Sequence, residues 1–316
     1  MTIPYQISEQ IAENVWNQNK EMYQSQDIII ITDTVALSYI FLRHLNELKP
    51  HLIIVNCNRF TYGMEHNHNF IQLLENTQKK QSCIDKVTYI PYTTFERIWC
   101  GKHKISVYEQ EINPIGRYDI HFNDKNHVIS NFKELNTSYK MVDTKDTFFI
   151  QSYGNHINFM NLAAYLYDNG ISSVVGGYEN INDLQEYKAL VVLPDQFSKY
   201  FTFESIQSKL LILLPSPHFL MELVQKPGYY FNIEGSSGRL TNEFTNLCEW
   251  YKYPECRIYF DSFEELVDII KNQLTDEKLE LVNKYMDFYR DTIHDENMLK
   301  WSNILKRINL FKIARE

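Results

Sequence analysis

The residues with the clearest chemical spacing lie in segment 189–217, ALVVLPDQFSKYFTFESIQSKLLILLPSP. A buried strand ends at Leu193 and a polar loop, Asp195-Gln196-Phe197-Ser198, follows it. A short helix then begins near Thr202, with Glu204 in its first turn. A helix start offers free N–H groups and the positive end of a dipole, which suits a phosphate. Glu204 at that end can accept hydrogen bonds from two vicinal hydroxyls, as on a ribose. Gln196, eight positions earlier, can reach a sugar hydroxyl across the loop. The loop from Phe197 through Ser198 and Lys199 to Thr202 is then the place for a diphosphate, with Lys199 as a cation. Each residue has a plainer reading: Glu204 as a favourable first-turn acid, Gln196 as a loop amide. Upstream, Gly176-Gly177-Tyr178 can lie under a base with the Tyr178 ring stacked on it, or form a strand-ending turn.

A second set of candidates follows the strands of the N-terminal half. Asp33 and Thr34 come after the run 28–31, and Asn58, Arg59 and Tyr62 come after the run 52–55. Tyr92 and Thr93 end the next strand. Asp33 can act as a base toward an acceptor hydroxyl or cap the helix that begins at Val35. Asn58, Arg59 and Tyr62 suit a sugar acceptor or a phosphate, and Thr34 and Tyr92 lie where an acceptor would be held; an ordinary loop is the alternative. His66-x-His68 lacks a third ligand at useful spacing, so a solvated loop is the reading there.

The segment 189–217 resembles the donor domain of GT-B glycosyltransferases, in particular the large group with a Glu-x7-Glu motif on a loop, a helix and the strand after it. The resemblance implies that Glu204 holds the ribose of a nucleotide. Gln196 stands where that family has its first Glu, the contact to the donor sugar. The run FDSFEELVDIIKNQ is similar to the family's aromatic-Asp-x-x-Glu-Leu helix. The terminal helix with Trp301 looks like its C-terminal crossover helix, and Asn113-Pro-Ile-Gly116-Arg117 is similar to its Pro/Gly loop at the end of the first domain. The family places an Arg and a Lys after the first strand of the second domain. This chain reads FFIQSYGNHINF there, where Tyr153, Gly154 and Asn155 offer a close-approach backbone and a helix cap. A leaving diphosphate needs positive charge, and Lys199, Arg59 and Arg117 are the candidates to supply it.

Along the chain, the apolar runs explain how such residues would be positioned. Strands are expected at 28–31, 52–55 and 87–90, with helices over 35–48, about 68–79 and about 94–100. Strands are expected again at 148–151, 173–175, 189–193, 210–214 and 257–260. Asn155 is expected to cap the helix between the first two of the second set. Ser262-Phe-Glu-Glu265 has the capping-box form, and roughly the last 50 residues carry helical spacing. The alternation predicts an α/β chain of two Rossmann-like domains facing across a cleft. Their expected spans are 1–120 (acceptor side), 121–146 (linker), 147–295 (nucleotide-sugar side) and 296–316 (crossover helix). Ligands of such open sheets sit beyond the strand carboxyl ends.

Composition bounds the rest. The 316 residues carry a net charge of −9, with 44% hydrophobic and 22% charged residues. This is a globular composition without the basic surface of a nucleic-acid binder. No apolar run is long enough to span a bilayer, and the N-terminus lacks the form of a secretory signal. The five cysteines are scattered and odd in number, which argues against a disulfide framework or a zinc site and favours a cytoplasmic setting. P-loop, nucleophile-elbow and GxGxxG signatures are absent. No Asp-x-Asp is present to hold a metal, so a metal-independent reaction with no required cofactor is expected. The expected partners are a UDP- or GDP-linked sugar donor and a glycan or other hydroxyl acceptor. The expected function is glycosyl transfer; the alternatives are a catalytically inactive GT-B-like glycan-binding or assembly protein, and a GT-B-type nucleotide-sugar epimerase.

Overall fold

The structure is a computed structural model. It describes residues 7–32, 34–57, 64, 67–77, 79, 85–107, 110–113, 146–151, 155–178, 181–197, 199, 201–232, 245 and 247–313. The chain is mixed α/β with two parallel sheets and divides into two compact units, Met1–Pro114 with Asp295–Glu316, and Ile115–His294.

In the first unit, helix α1 (Glu9–Gln24) starts at Ser8, whose hydroxyl accepts from Ile11 N, and buries Ala12 and Trp16 on one face. The strands β1 (Ile28–Ile31), β2 (His51–Asn56) and β3 (Val87–Pro91) are parallel in the order β1-β2-β3. Every residue of β2 is buried, as a strand covered on both faces requires. The segment expected as one helix over 35–48 instead forms a 3-10 turn at Val35–Ser38 and a single α turn, α2 (Tyr39–Leu42), before further turns. Tyr39, Ile40, Phe41 and Leu42 are all buried. A run enclosed on every side has no solvent face, so it does not extend as an amphipathic helix. Helices α3 (His68–Asn76) and α4 (Thr94–Lys102) are capped by Asn67 and Thr93.

In the second unit the order of elements is β4 (Phe148–Gln151), α5 (Asn155–Asn158), α6 (Leu162–Asp168), β5 (Ser173–Gly176), β6 (Ala189–Val191), α7 (Phe201–Gln207), β7 (Ile212–Pro215), α8 (Pro217–Val224), β8 (Arg257–Phe260) and α9 (Phe263–Asp268). A π-helical turn at Ile269–Gln273 leads to the long helix α10 (Asp276–Ile313). All five strands are parallel, in the order β5-β4-β6-β7-β8. β4, β6 and β7 are buried along their length, while the edge strand β5 is not.

Two local expectations change. Asn155 opens only a single turn, and the helix that follows is capped by Asn161, whose side chain accepts from Ala164 N. Gly170 does follow that helix, at φ +73, a backbone region that glycine enters without penalty. At Ser262 the hydroxyl accepts from Glu265 N, while the Glu265 carboxylate accepts from Asp261 N, one residue earlier than in the usual box.

Residues of α10 from Asp295 onward belong to the first unit. There Ile304 and Ile308 are buried with Ile53, Val55, Ile90 and Ile112, and Trp301 packs beside them. Asn297 Nδ2 donates to Asn113 O at 2.7 Å. Among the described residues no helix is long and apolar enough to cross a membrane.

Candidate functional site

The strand order of the second unit places a site. β5 lies on one side of β4 and β6 on the other, so the chain reverses its winding between β4 and β6. Crossovers that leave in opposite directions open a crevice at the carboxyl ends of those two strands, and open α/β sheets bind ligands there. β4 ends at Gln151, and β6 runs out into Val192, Leu193 and Pro194, then directly into the loop of Asp195, Gln196 and Lys199.

A cavity of about 20 Å³ sits at this point, lined by Ile150, Gln151, Asn155, His156, Val191–Leu193, Asp195 and Lys199. That is room for about one water-sized group. Gln151 is 7% exposed and its Nε2 has no hydrogen-bond partner. Lys199 Nζ lies 2.7 Å from Asp195 Oδ1, so the lysine charge is balanced within the loop.

The loop itself is held from several sides. Asn155, 1% exposed, donates from Nδ2 to Pro194 O at 3.1 Å and Tyr230 O at 2.7 Å, and its Oδ1 accepts from Tyr230 N at 2.7 Å. Tyr229 Oη donates to Pro194 O at 2.7 Å. Burial, with the Asp195 charge adding to it, holds that phenol protonated and well above its usual pKa. Asn232 N donates to Asp195 O at 2.7 Å, Trp250 Nε1 to Gln196 O and Glu249 N to Phe197 O, both at 2.9 Å. These bonds occupy backbone carbonyls that would otherwise be orphaned at the edge of a crevice. They leave the loop pre-organised.

The candidate residues therefore separate. Asn155 is spent on backbone groups and acts as a staple, not as a cap with free capacity. Phe197 is buried, its ring edge-on to Phe231 at 5.2 Å. Thr202 is buried as well, and its N–H donates to Lys199 O at 3.0 Å, so that amide is not offered to a ligand. Gln196 contributes its backbone to the cradle and stays half-buried, as do Lys199 and Glu204. Glu204 lies in the first turn of α7. Tyr178 follows β5 and its ring approaches Phe201, at the start of α7, at 5.8 Å; Gly177 beside it is exposed.

No family model matches the chain, and no curated protein does. A solved structure does. The crystal structure of the glycotransferase of kitacinnamycin aligns over 92% of this chain and 79% of its own, at 9% identity and a TM-score of 0.40.

Beneath α7 lies a residue that motif spacing does not single out. Arg257, at the start of β8, is buried and donates to Thr202 O at 2.6 Å, Ser205 Oγ at 2.9 Å and Cys256 O at 3.0 Å. Burial lowers its pKa to about 10, which still leaves it charged at neutral pH. Spacing assigns no role to Gln151, His156 or the Asp195 side chain either. The signal that could find them is a polar residue closing an apolar strand, Phe-Phe-Ile-Gln, and its opposite number after Pro194.

In the first unit, Thr34 and Tyr92 are buried. Tyr92 O accepts from Asn113 Nδ2 at 3.0 Å, a packing arrangement at the carboxyl end of β3. Asp33, Asn58, Arg59, Tyr62, Arg117, Tyr153, Gly154 and Ser198 lie outside the described residues. Among the described residues no three His, Cys, Asp or Glu side chains stand together as a metal site.

Proposed function

We propose that this chain is a GT-B-like glycosyltransferase whose second unit takes a UDP- or GDP-linked sugar and whose first unit takes a hydroxyl acceptor. One observation carries the reading. The segment that resembles a donor motif, Gln196 through Glu204, leaves directly from β6, one of the two strands that bound the crevice of a β5-β4-β6-β7-β8 sheet. A sheet of this order binds its ligand there whatever the chemistry, and this segment is the loop that would meet it. In this reading Glu204 accepts from the ribose hydroxyls, Tyr178 stacks on the base, and Lys199 answers the diphosphate charge. An inverting transfer would use Asp33 as base; a retaining one needs no side-chain base.

A thermal-shift panel of UDP- and GDP-sugars and their nucleoside diphosphates tests this on wild type and Glu204→Ala. At saturating ligand the wild-type melting temperature should rise by several degrees. The variant should lose most of that rise, because a carboxylate bonded to two hydroxyls contributes about 2–3 kcal/mol. Absence of any nucleotide effect on wild type sinks the donor reading; equal stabilisation of the variant removes Glu204 from it.

The Lys199–Asp195 pair favours a second reading, a chain that binds a nucleotide sugar without turning it over. The paired lysine supplies little net charge to a leaving diphosphate. Binding in the panel together with no product, for any acceptor offered, would select this reading.

A further inference from the structure

We propose that Arg257 supplies positive charge to an anionic ligand group at the crevice of the second unit, acting through space from beneath α7 without touching the ligand. That the group is the diphosphate of a nucleotide sugar rests on the function proposed above; the buried charge itself does not.

Arg257 is 5% exposed, and its bonds go to Thr202 O, Cys256 O and Ser205 Oγ, all neutral acceptors. Among the described residues no carboxylate pairs with it, and its Nε has no hydrogen-bond partner. The two neighbouring groups that could become anions stay neutral: burial pushes the Cys256 thiol up to about 11 and the Tyr259 phenol up to about 12. The guanidinium keeps its proton at neutral pH. Bracing a helix turn does not need a charge, because a neutral amide donates to the same kinds of acceptor. Burying a lone cation is strongly unfavourable, so this one calls for an anion from outside the chain.

The connections say where that anion would stand. Arg257 Nη2 lies 2.6 Å from Thr202 O, and Thr202 N donates to Lys199 O at 3.0 Å. With one residue between those two contacts, the guanidinium is at most about 10 Å from the Lys199 carbonyl. Lys199 lines the crevice at the end of β6, and its ammonium is matched by Asp195 at 2.7 Å. Arg257 is thus left as an unmatched cation beneath this loop, in a chain of net charge −9. At about 10 Å and an effective dielectric constant of about 40, one buried charge raises the affinity for a doubly charged anion by roughly tenfold.

Isothermal titration calorimetry on the full chain tests this with UDP, GDP and pyrophosphate against wild type, Arg257→Gln and Arg257→Lys. Both substitutions break the fork of hydrogen bonds, and only the glutamine removes the charge. Arg257→Gln should bind the nucleotide that wild type prefers about tenfold more weakly, and Arg257→Lys should stay within about threefold of wild type. Equal weakening in the two would make Arg257 a brace whose charge is irrelevant, and no weakening in Arg257→Gln would remove it from the site. Either result overturns the proposal.

Ser205 offers a second pair of variants that keeps the arginine. Ser205→Ala and Ser205→Asp both remove the hydroxyl 2.9 Å from Nη2, and only the aspartate neutralises the guanidinium. Ser205→Asp should show the tenfold loss and Ser205→Ala should not, and this pair decides if either Arg257 variant fails to fold. If neither UDP nor GDP binds wild type, the donor reading fails and pyrophosphate decides. Pyrophosphate binding that falls about tenfold in Arg257→Gln and is kept in Arg257→Lys supports the buried charge; any other pattern, including no binding, overturns it.

Discussion

Asn155 shows how much one buried amide does in this sheet. It joins the end of β6, through Pro194, to Tyr230 on a segment 75 positions away, with both its donor and its acceptor engaged. Asn155→Ala would take this partner from Tyr230 N–H and Tyr230 O and leave Pro194 O with the Tyr229 hydroxyl alone. The expected cost is about 2–3 kcal/mol, seen as a lower urea midpoint, together with weaker binding of any ligand that needs the loop from Asp195 to Lys199 fixed. A loss below about 0.5 kcal/mol would mean that Tyr229, which also donates to Pro194 O, carries the loop without it. Arg257 makes a related point. Its guanidinium sits under α7 and bonds two carbonyls and a hydroxyl, so it fixes the first turn of that helix by hydrogen bonding where a buried ion pair would be the more familiar device.

Among elements, α7 ends in an unusual way. Lys209 holds φ +53 in the position past a helix end that glycine usually fills, and Leu210 N closes the turn on Ser205 O at 2.8 Å. The side chain gives the reason for tolerating this backbone: Nζ meets Asp287 Oδ2 at 2.8 Å, and Asp287 Oδ1 meets Arg290 at 2.9 Å, tying α7 to α10. The two effects can be weighed. Relief of the left-handed backbone in Lys209→Gly is worth about 1 kcal/mol, and an exposed ion pair about 0.2–1 kcal/mol. Lys209→Gly should therefore stay within about 0.5 kcal/mol of wild type. Lys209→Ala, which keeps the strain and loses the pair, should fall about 1 kcal/mol below the glycine variant. Equal stability of the two, by thermal or urea denaturation, would show that the backbone conformation costs nothing there.

At the scale of the whole molecule, the C-terminal stretch completes a core begun about 250 residues earlier, at Ile53. Ile304 and Ile308 are buried with residues of β2 and β3, so the first unit lacks part of its cover until the last helix is in place. Ile304→Ala should cost about 2–4 kcal/mol, the usual range for opening such a cavity, and raise protease sensitivity within the first unit. A cost under about 1 kcal/mol would make this helix an ornament on a core that closes without it.

Much of this was legible in the residues themselves. Short apolar runs such as 52–55 and 148–151 form strands that are buried throughout, and a run of four branched residues at 28–31 forms one although Ile30 is 49% exposed. The Gly170 helix end and the Ser262 cap are local as well, set by backbone freedom and by a side chain three residues from its partner. Glu204 could be placed in a first turn for the same reason. The strand order was not local. That β6 pairs with β4 and not with β5 depends on contacts across the sheet, and with it went the position of the crevice and the burial of the Gln151 amide beside it. Asn155 reads as a helix cap from its neighbours and becomes a loop staple only because Tyr230 is folded against it. Sequence determined the elements and the polar residues at their ends; tertiary structure decided which of those residues found partners and which backbone groups they hold, because hydrogen-bond partners far apart in the chain are chosen by packing.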